Sequence, residues 1–143
     1  MINTALVSFG MSGKVFHAPF IAANPNFNLV GSWERSTKNI VATYPGTKSY
    51  NSYEELLADS NIDLVVVNSP NDSHFAYVKS ALLAGKHVVC EKAFTNTSAE
   101  AQELDELANK KGLKLAVYQN RRYDADFLTI QKLISEGEIG DFI

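Results

Sequence analysis

The chain is poor in the features that usually assign a protein at a glance. It carries one cysteine, Cys90, among 143 residues. That excludes an internal disulfide framework and suits a reducing cytoplasm, the expected location. The N-x-S triplets at 71–73 and 96–98 then read as chance matches to a glycosylation acceptor. Three widely spaced histidines beside that cysteine offer no metal-ligand pattern, so no metal is expected. No apolar run approaches the ~20 residues that span a bilayer. No basic stretch precedes the apolar start M-I-N-T-A-L-V, so neither a membrane partner nor a signal peptide is expected. Lysine and arginine (13) are outnumbered by aspartate and glutamate (16), which argues against a nucleic-acid surface. Repeats, low-complexity tracts and long linkers are missing as well.

What is present is an ordinary globular balance, 45% hydrophobic and 20% charged, at a length that fits one domain with a real core. Apolar runs at 5–9, 27–33, 64–68, 87–90 and 113–119 read as strands. Most lack clean alternation, as strands of a parallel sheet covered on both faces do. Helical patterns fall between them. One spans 13–23, with Pro19 expected to kink it. Others run from an N-cap at Ser36 to 43, from Ser52-Tyr53-Glu54-Glu55 to about 58, from 73 to 84 before Gly85, and from Thr97-Ser98-Ala99-Glu100 to Gly112. A last helix is expected over 125–135. This alternation predicts an α/β fold, a Rossmann-type doubly wound parallel sheet in three layers. The terminal E-I-G-D-F-I reads as a turn entering a new strand, as if a longer protein continued beyond it.

The first strand feeds S-F-G-M-S-G-K, which lays Ser8, Gly10 and Gly13 on the dinucleotide fingerprint G-x-G-x-x-G. Two of three glycines match, and a flexible strand-to-helix turn is the bland alternative. The position favours the fingerprint, because the turn follows a strand and opens a helix. Phe9, Gly10, Met11, Ser12 and Gly13 are then the expected pyrophosphate cradle. Glu34 lies 21 residues beyond Gly13, where a carboxylate would accept from the adenosine ribose of NAD. Arg35 is open to two uses, stacking on adenine or pairing with a 2′-phosphate, with Lys38 able to assist. Glu34 would repel that phosphate, so of NAD and NADP the expectation leans to NAD.

Three segments carry a resemblance that spacing does not supply: K-V-F-H-A-P-F (14–20), V-V-V-N-S-P-N-D-S-H through V-V-C-E-K-A-F-T (65–95), and Y-Q-N-R-R-Y-D-A-D-F (118–127). Together they resemble the N-terminal domain of the glucose–fructose oxidoreductase/inositol dehydrogenase (Gfo/Idh/MocA) family. The resemblance implies an NAD(P)-binding Rossmann domain over 1–120, then a linker helix and the start of a second α/β domain over 121–143, most of which is not in this chain. It implies an oxidoreductase that moves hydride between nicotinamide and a sugar, polyol or related small alcohol or ketone, homo-oligomeric at full length, with the fragment alone inactive. It assigns Lys92 to the substrate as the catalytic residue and Glu91 to the nicotinamide ribose. Ser69, Pro70, Asn71 and His74 are assigned to a loop along the dinucleotide, and Asn120 and Arg121 to the nicotinamide end. Ala93 departs from the family's usual proline and Ser8 from its first glycine.

Gly10, Glu34, Ser69 and Glu91-Lys92 all fall at carboxyl ends of expected strands, where open sheets bind ligands. His17 and His87 read as packing and surface residues, Cys90 as a small buried one, and the roles of Arg121 and Arg122 stay interchangeable. Two other readings compete. A non-catalytic dinucleotide-sensing domain would need the glycine turn and Glu34 without Lys92. A flavodoxin-like module would share only the alternation.

Overall fold

The computed structural model describes residues 1–140. Strand β1 (Ile2–Leu6) leads through the glycine turn and a single wide π turn (Gly13–His17) into α1 (Ala18–Ala23). Strands β2 (Phe27–Trp33), β3 (Lys48–Tyr50) and β4 (Leu64–Val67) are separated by α2 (Ile40–Thr43) and α3 (Tyr53–Ala58). Helix α4 (His74–Leu83), β5 (His87–Glu91), α5 (Ser98–Lys111), β6 (Leu115–Tyr118) and α6 (Ala125–Ser135) follow. All strand pairs are parallel, in the order β3-β2-β1-β4-β5-β6. The order reverses between β1 and β4, and that switch opens a crevice at the strands' carboxyl ends.

The period-two geometry of the strands divides the apolar residues between two cores. Ala5, Val7, Val65, Val67, Val88 and Cys90 face α3, α4 and α5 with Leu56, Val78, Leu82 and Leu104. Leu6, Leu29 and Val66 face the other way, onto Ala18 and Ile40. Two covered faces explain why the strands read as continuous apolar runs. Three layers result, as expected.

Capping chemistry sets several helix ends. Thr97 and Glu100 form a complete reciprocal capping box, and α5 stops at Gly112 with φ 67°. Ser52 accepts from Glu55 N–H, while the Glu55 side chain turns instead to Asn51 and Lys48. Pro19 sits in the first turn of α1, and the break it marks falls at His17.

Four expectations change. The helix expected from Ser36 begins only at Ile40, for a reason given below. Strand β3 had no signature, because Lys48-Ser49-Tyr50 is short and largely polar; it pairs with β2 across Gly31, where a Cβ would lie 2.0 Å from Lys48 O. The first strand runs from Ile2 to Leu6 rather than 5–9, leaving Ser8–Gly10 to the turn. Glu138–Gly140 form no strand, and the rest of the expected terminal strand, 141–143, lies outside the described residues.

Candidate functional site

The glycine turn is held from behind. Asn68, at the end of β4, accepts the Ser8 N–H at 3.0 Å and donates to Ser8 O at 2.9 Å. The Ser8 hydroxyl accepts the Gly10 N–H at 3.2 Å, so the serine that replaces the first glycine stiffens the turn. The two glycines differ in kind. A Cβ on Gly13 would meet Ser8 O at 2.6 Å, so the fold itself excludes a side chain. A Cβ on Gly10 would touch only Ser8 Oγ, at 3.4 Å. Gly10 is bare on the groove side, where a phosphate would approach the backbone.

Two cavities line the carboxyl edge of the sheet on either side of this turn. One, of about 510 Å³, is bounded by Phe9, Gly10, Lys14, Glu34, Arg35, Ser36, Thr37, Ser69, Pro70 and Tyr77. The other, of about 420 Å³, is bounded by Met11, Ser12, Phe16, Asn68, Ser69, Glu91, Lys92, Asn120 and Arg121. Ser69 lines both, so they are halves of one groove. Three expected residues line neither cavity. Gly13 packs under the turn. Asn71 lies exposed in the loop after β4. His74 is fully buried, its ring nitrogens 2.8 Å from Ala93 O and Ser69 O. His74 therefore ties two loops together from below the surface and does not reach into the groove.

Glu34 lines the first cavity but is engaged by its own loop. It is 8% exposed. Oε1 accepts from Ser32 Oγ at 3.3 Å and from Ile40 N–H at 3.0 Å; Oε2 accepts from Thr37 Oγ1 at 3.1 Å and Asn39 N–H at 3.0 Å. Glu34 thus caps α2 from outside the helix, which is why α2 starts at Ile40 and not at Ser36. Both oxygens are spent, whereas Arg35, Ser36 and Lys38 next to it are exposed.

The other half gathers Glu91 and Lys92 at the end of β5. Glu91 Oε1 accepts from Ser12 Oγ at 2.8 Å and lies 2.9 Å from His17 Nε2, while Oε2 accepts the Lys92 N–H at 3.2 Å. Burial works to raise the Glu91 pKa, but the hydrogen bonds from Ser12 and His17, the His17 charge and the Lys92 N–H hold it below its ordinary value. Burial pushes the His17 pKa down, against the pull of Glu91. Lys92 itself is exposed at the rim. Burial pushes the Cys90 thiol up to about 12, as befits an unreactive core residue. Arg121 is exposed and pairs with Asp124 at 2.8 Å. Sequence reasoning missed Asn68 and His17. Asn68 stands at the carboxyl end of β4, a position that could have drawn attention; His17 shows its link to Glu91 only in three dimensions.

No group of three or more His, Cys, Asp or Glu side chains suited to a metal occurs among the described residues, and no helix among them is long and apolar enough to cross a membrane.

Residues 2–119 match the family model described as GFO_IDH_MocA, oxidoreductase family, NAD-binding Rossmann fold. An uncharacterized oxidoreductase of Schizosaccharomyces pombe is 50% identical over 147 residues, covering 99% of this chain and 40% of its own. The scyllo-inositol 2-dehydrogenase (NADP(+)) of Bacillus subtilis is 38% identical over 140 residues, covering 98% and 39%. The crystal structure of an NAD-binding protein from Listeria innocua superposes with a TM-score of 0.91 at 38% identity, covering 98% of this chain and 42% of that one. The chain therefore spans about two fifths of the length of the relatives it matches.

Proposed function

This chain belongs to the Gfo/Idh/MocA oxidoreductase family, and from that premise we propose that it is the cofactor half of an NADP-dependent enzyme acting on a polyol or sugar hydroxyl. The observation that carries the cofactor is Glu34. A carboxylate that reads a ribose diol needs free lone pairs facing the groove, and this one already accepts four hydrogen bonds from its own loop. The groups left at that wall are Arg35, Ser36 and Lys14, all lining the cavity; Lys38 is turned to Asn51 Oδ1 at 2.7 Å. A guanidinium, a hydroxyl and an ammonium group suit a 2′-phosphate, which they neutralise and hydrogen-bond. The Bacillus subtilis relative named as a scyllo-inositol 2-dehydrogenase (NADP(+)) supports both the cofactor and the polyol class.

In this reading the bare face of Gly10 admits the pyrophosphate, and the loop of Ser69 and Pro70, with Asn71 beside it, runs along the dinucleotide. Asn120 and Arg121 flank its nicotinamide end. Bound nicotinamide supplies a hydride acceptor or donor. Glu91 orients the ribose next to it. Lys92 Nζ donates a hydrogen bond to the reacting oxygen and holds the proton that the substrate hydroxyl exchanges. Further acid–base groups and most of the substrate pocket belong to chain beyond the two fifths represented here.

The test is a titration with NADPH and NADH, followed by nicotinamide fluorescence, on the wild type and Arg35→Ala. NADPH should bind about tenfold or more tightly than NADH, and Arg35→Ala should erase most of that difference. Tighter NADH binding, untouched by Arg35→Ala, would return the ribose to Glu34.

A further inference from the structure

The π turn after the glycine loop delivers a buried histidine to the charged end of β5. His17 is 4% exposed and sits where the chain leaves the π turn, with φ −121° and ψ −62°, before α1 begins. Turns of this kind recur at functional sites. The His17 ring packs on Tyr118 with centroids 4.4 Å apart, and the Tyr118 hydroxyl donates to Phe16 O at 2.9 Å. The ring is thereby pinned from β6 and from its own turn, with Nε2 aimed at Glu91 Oε1, 2.9 Å away. Burial favours the neutral ring, which has one N–H, and a carboxylate at that distance assigns it to Nε2.

The carboxylate is then held on both sides. Oε1 takes Ser12 Oγ–H and His17 Nε2–H, and Oε2 is left to accept the backbone N–H of Lys92. Without the His17 donor, one rotation about the Glu91 side chain would free Oε2 and loosen the backbone from which Lys92 emerges. We propose that His17 is a positioning residue for the nicotinamide half of the site, fixing Glu91 and, through it, Lys92. The proposal rests on the reading of Glu91 and Lys92 given above.

A histidine that merely fills space makes the opposite prediction under two substitutions. His17→Phe keeps the ring and its contact with Tyr118 but has no N–H. His17→Gln gives up the ring but carries an amide donor that reaches the region of Nε2. If His17 positions Glu91, His17→Phe weakens NADPH binding about tenfold and His17→Gln stays within about threefold of wild type. The Glu91 carboxyl ¹³C resonance should titrate at higher pH in His17→Phe than in His17→Gln, which restores the hydrogen bond though not the charge. Normal binding and titration in His17→Phe, or a loss greater in His17→Gln than in His17→Phe, overturns the proposal. Should either variant fail to fold, the ¹⁵N shifts of the wild-type ring decide: a protonated Nε2 supports the proposal and an unprotonated Nε2 overturns it. Gly10→Val is the control for the groove itself. If NADPH binding survives Gly10→Val, the reading of the groove fails; the carboxyl titration still reports on His17 and Glu91.

Discussion

The two ends of the groove are finished to different degrees. At the β2–α2 end, the Glu34 carboxylate has a local answer: it takes four donors, and Ile40 is fully buried beneath it. At the β6–α6 end, no residue of α6 is buried, and Phe127, Leu128, Ile130 and Ile134 are 40%, 48%, 51% and 39% exposed. Lys92 and Arg121 stand exposed on that side as well. The lesson is that the β2–α2 loop is braced within its own segment. The β6–α6 end presents apolar and charged side chains that no neighbour among the described residues covers.

Several substitutions would break or sharpen this contrast. The largest effect is expected at the turn between the halves. Gly13→Val drives a Cβ into Ser8 O and should destabilise the fold by about 3 kcal/mol in thermal unfolding. Gly10→Val should change stability by less than about 1 kcal/mol while abolishing cofactor binding. Next comes Glu34→Ala, which leaves the Asn39 and Ile40 N–H groups without an acceptor and should cost about 2 kcal/mol. An unchanged melting temperature would mean that Glu34 is free for another task.

Acid should act on the other half. His17 is held below its ordinary value of 6.5, so as pH falls past 6.5 the unfolded chain takes a proton that the folded chain resists, and stability drops. Glu91, held below its ordinary 4.5, adds stability above that value which is lost as pH falls through its folded pKa. His17→Phe should flatten the first part of this decline and also shrink the second, because Glu91 loses the donor and charge that hold its pKa down, measured by urea unfolding across pH. The smallest effect belongs to α6. Its amides should exchange with solvent about a hundredfold or more faster than those of β4, and Ile130→Ser should shift stability by no more than about 0.5 kcal/mol. Exchange as slow as in β4 would show that α6 is held in place after all.

Much of this was legible in the sequence, for identifiable reasons. Strands covered on both faces show as apolar runs, so β4 and β5 stand out, as do the capped helices; β2 and β6 are still found from their apolar content, although β6 has no buried residue. The family was readable because its motifs are long and cover nearly the whole chain. What stayed hidden depends on direction and on distant contact. The spacing from Gly13 to Glu34 fits a ribose-binding acid, but spacing does not say where a carboxylate points. The free N–H groups at Asn39 and Ile40 decide that, and they exist only once α2 starts late. The depth of His74, buried between Ser69 O and Ala93 O, is likewise not written in its position along the chain. His17 reads as packing because its partner, Glu91, lies 74 residues away. Strand β3 owes its place to backbone approach at Gly31, not to side-chain pattern.

The most direct measurement is calorimetric titration of this chain with NADPH and with 2′,5′-ADP, which carries the 2′-phosphate but lacks nicotinamide. If the adenosine half is complete and built for that phosphate, 2′,5′-ADP should bind within about tenfold of NADPH, and 5′-ADP far more weakly than either. If 5′-ADP matched 2′,5′-ADP, or if only the intact NADPH bound, the division of the groove and the role given to Arg35 would both be contradicted.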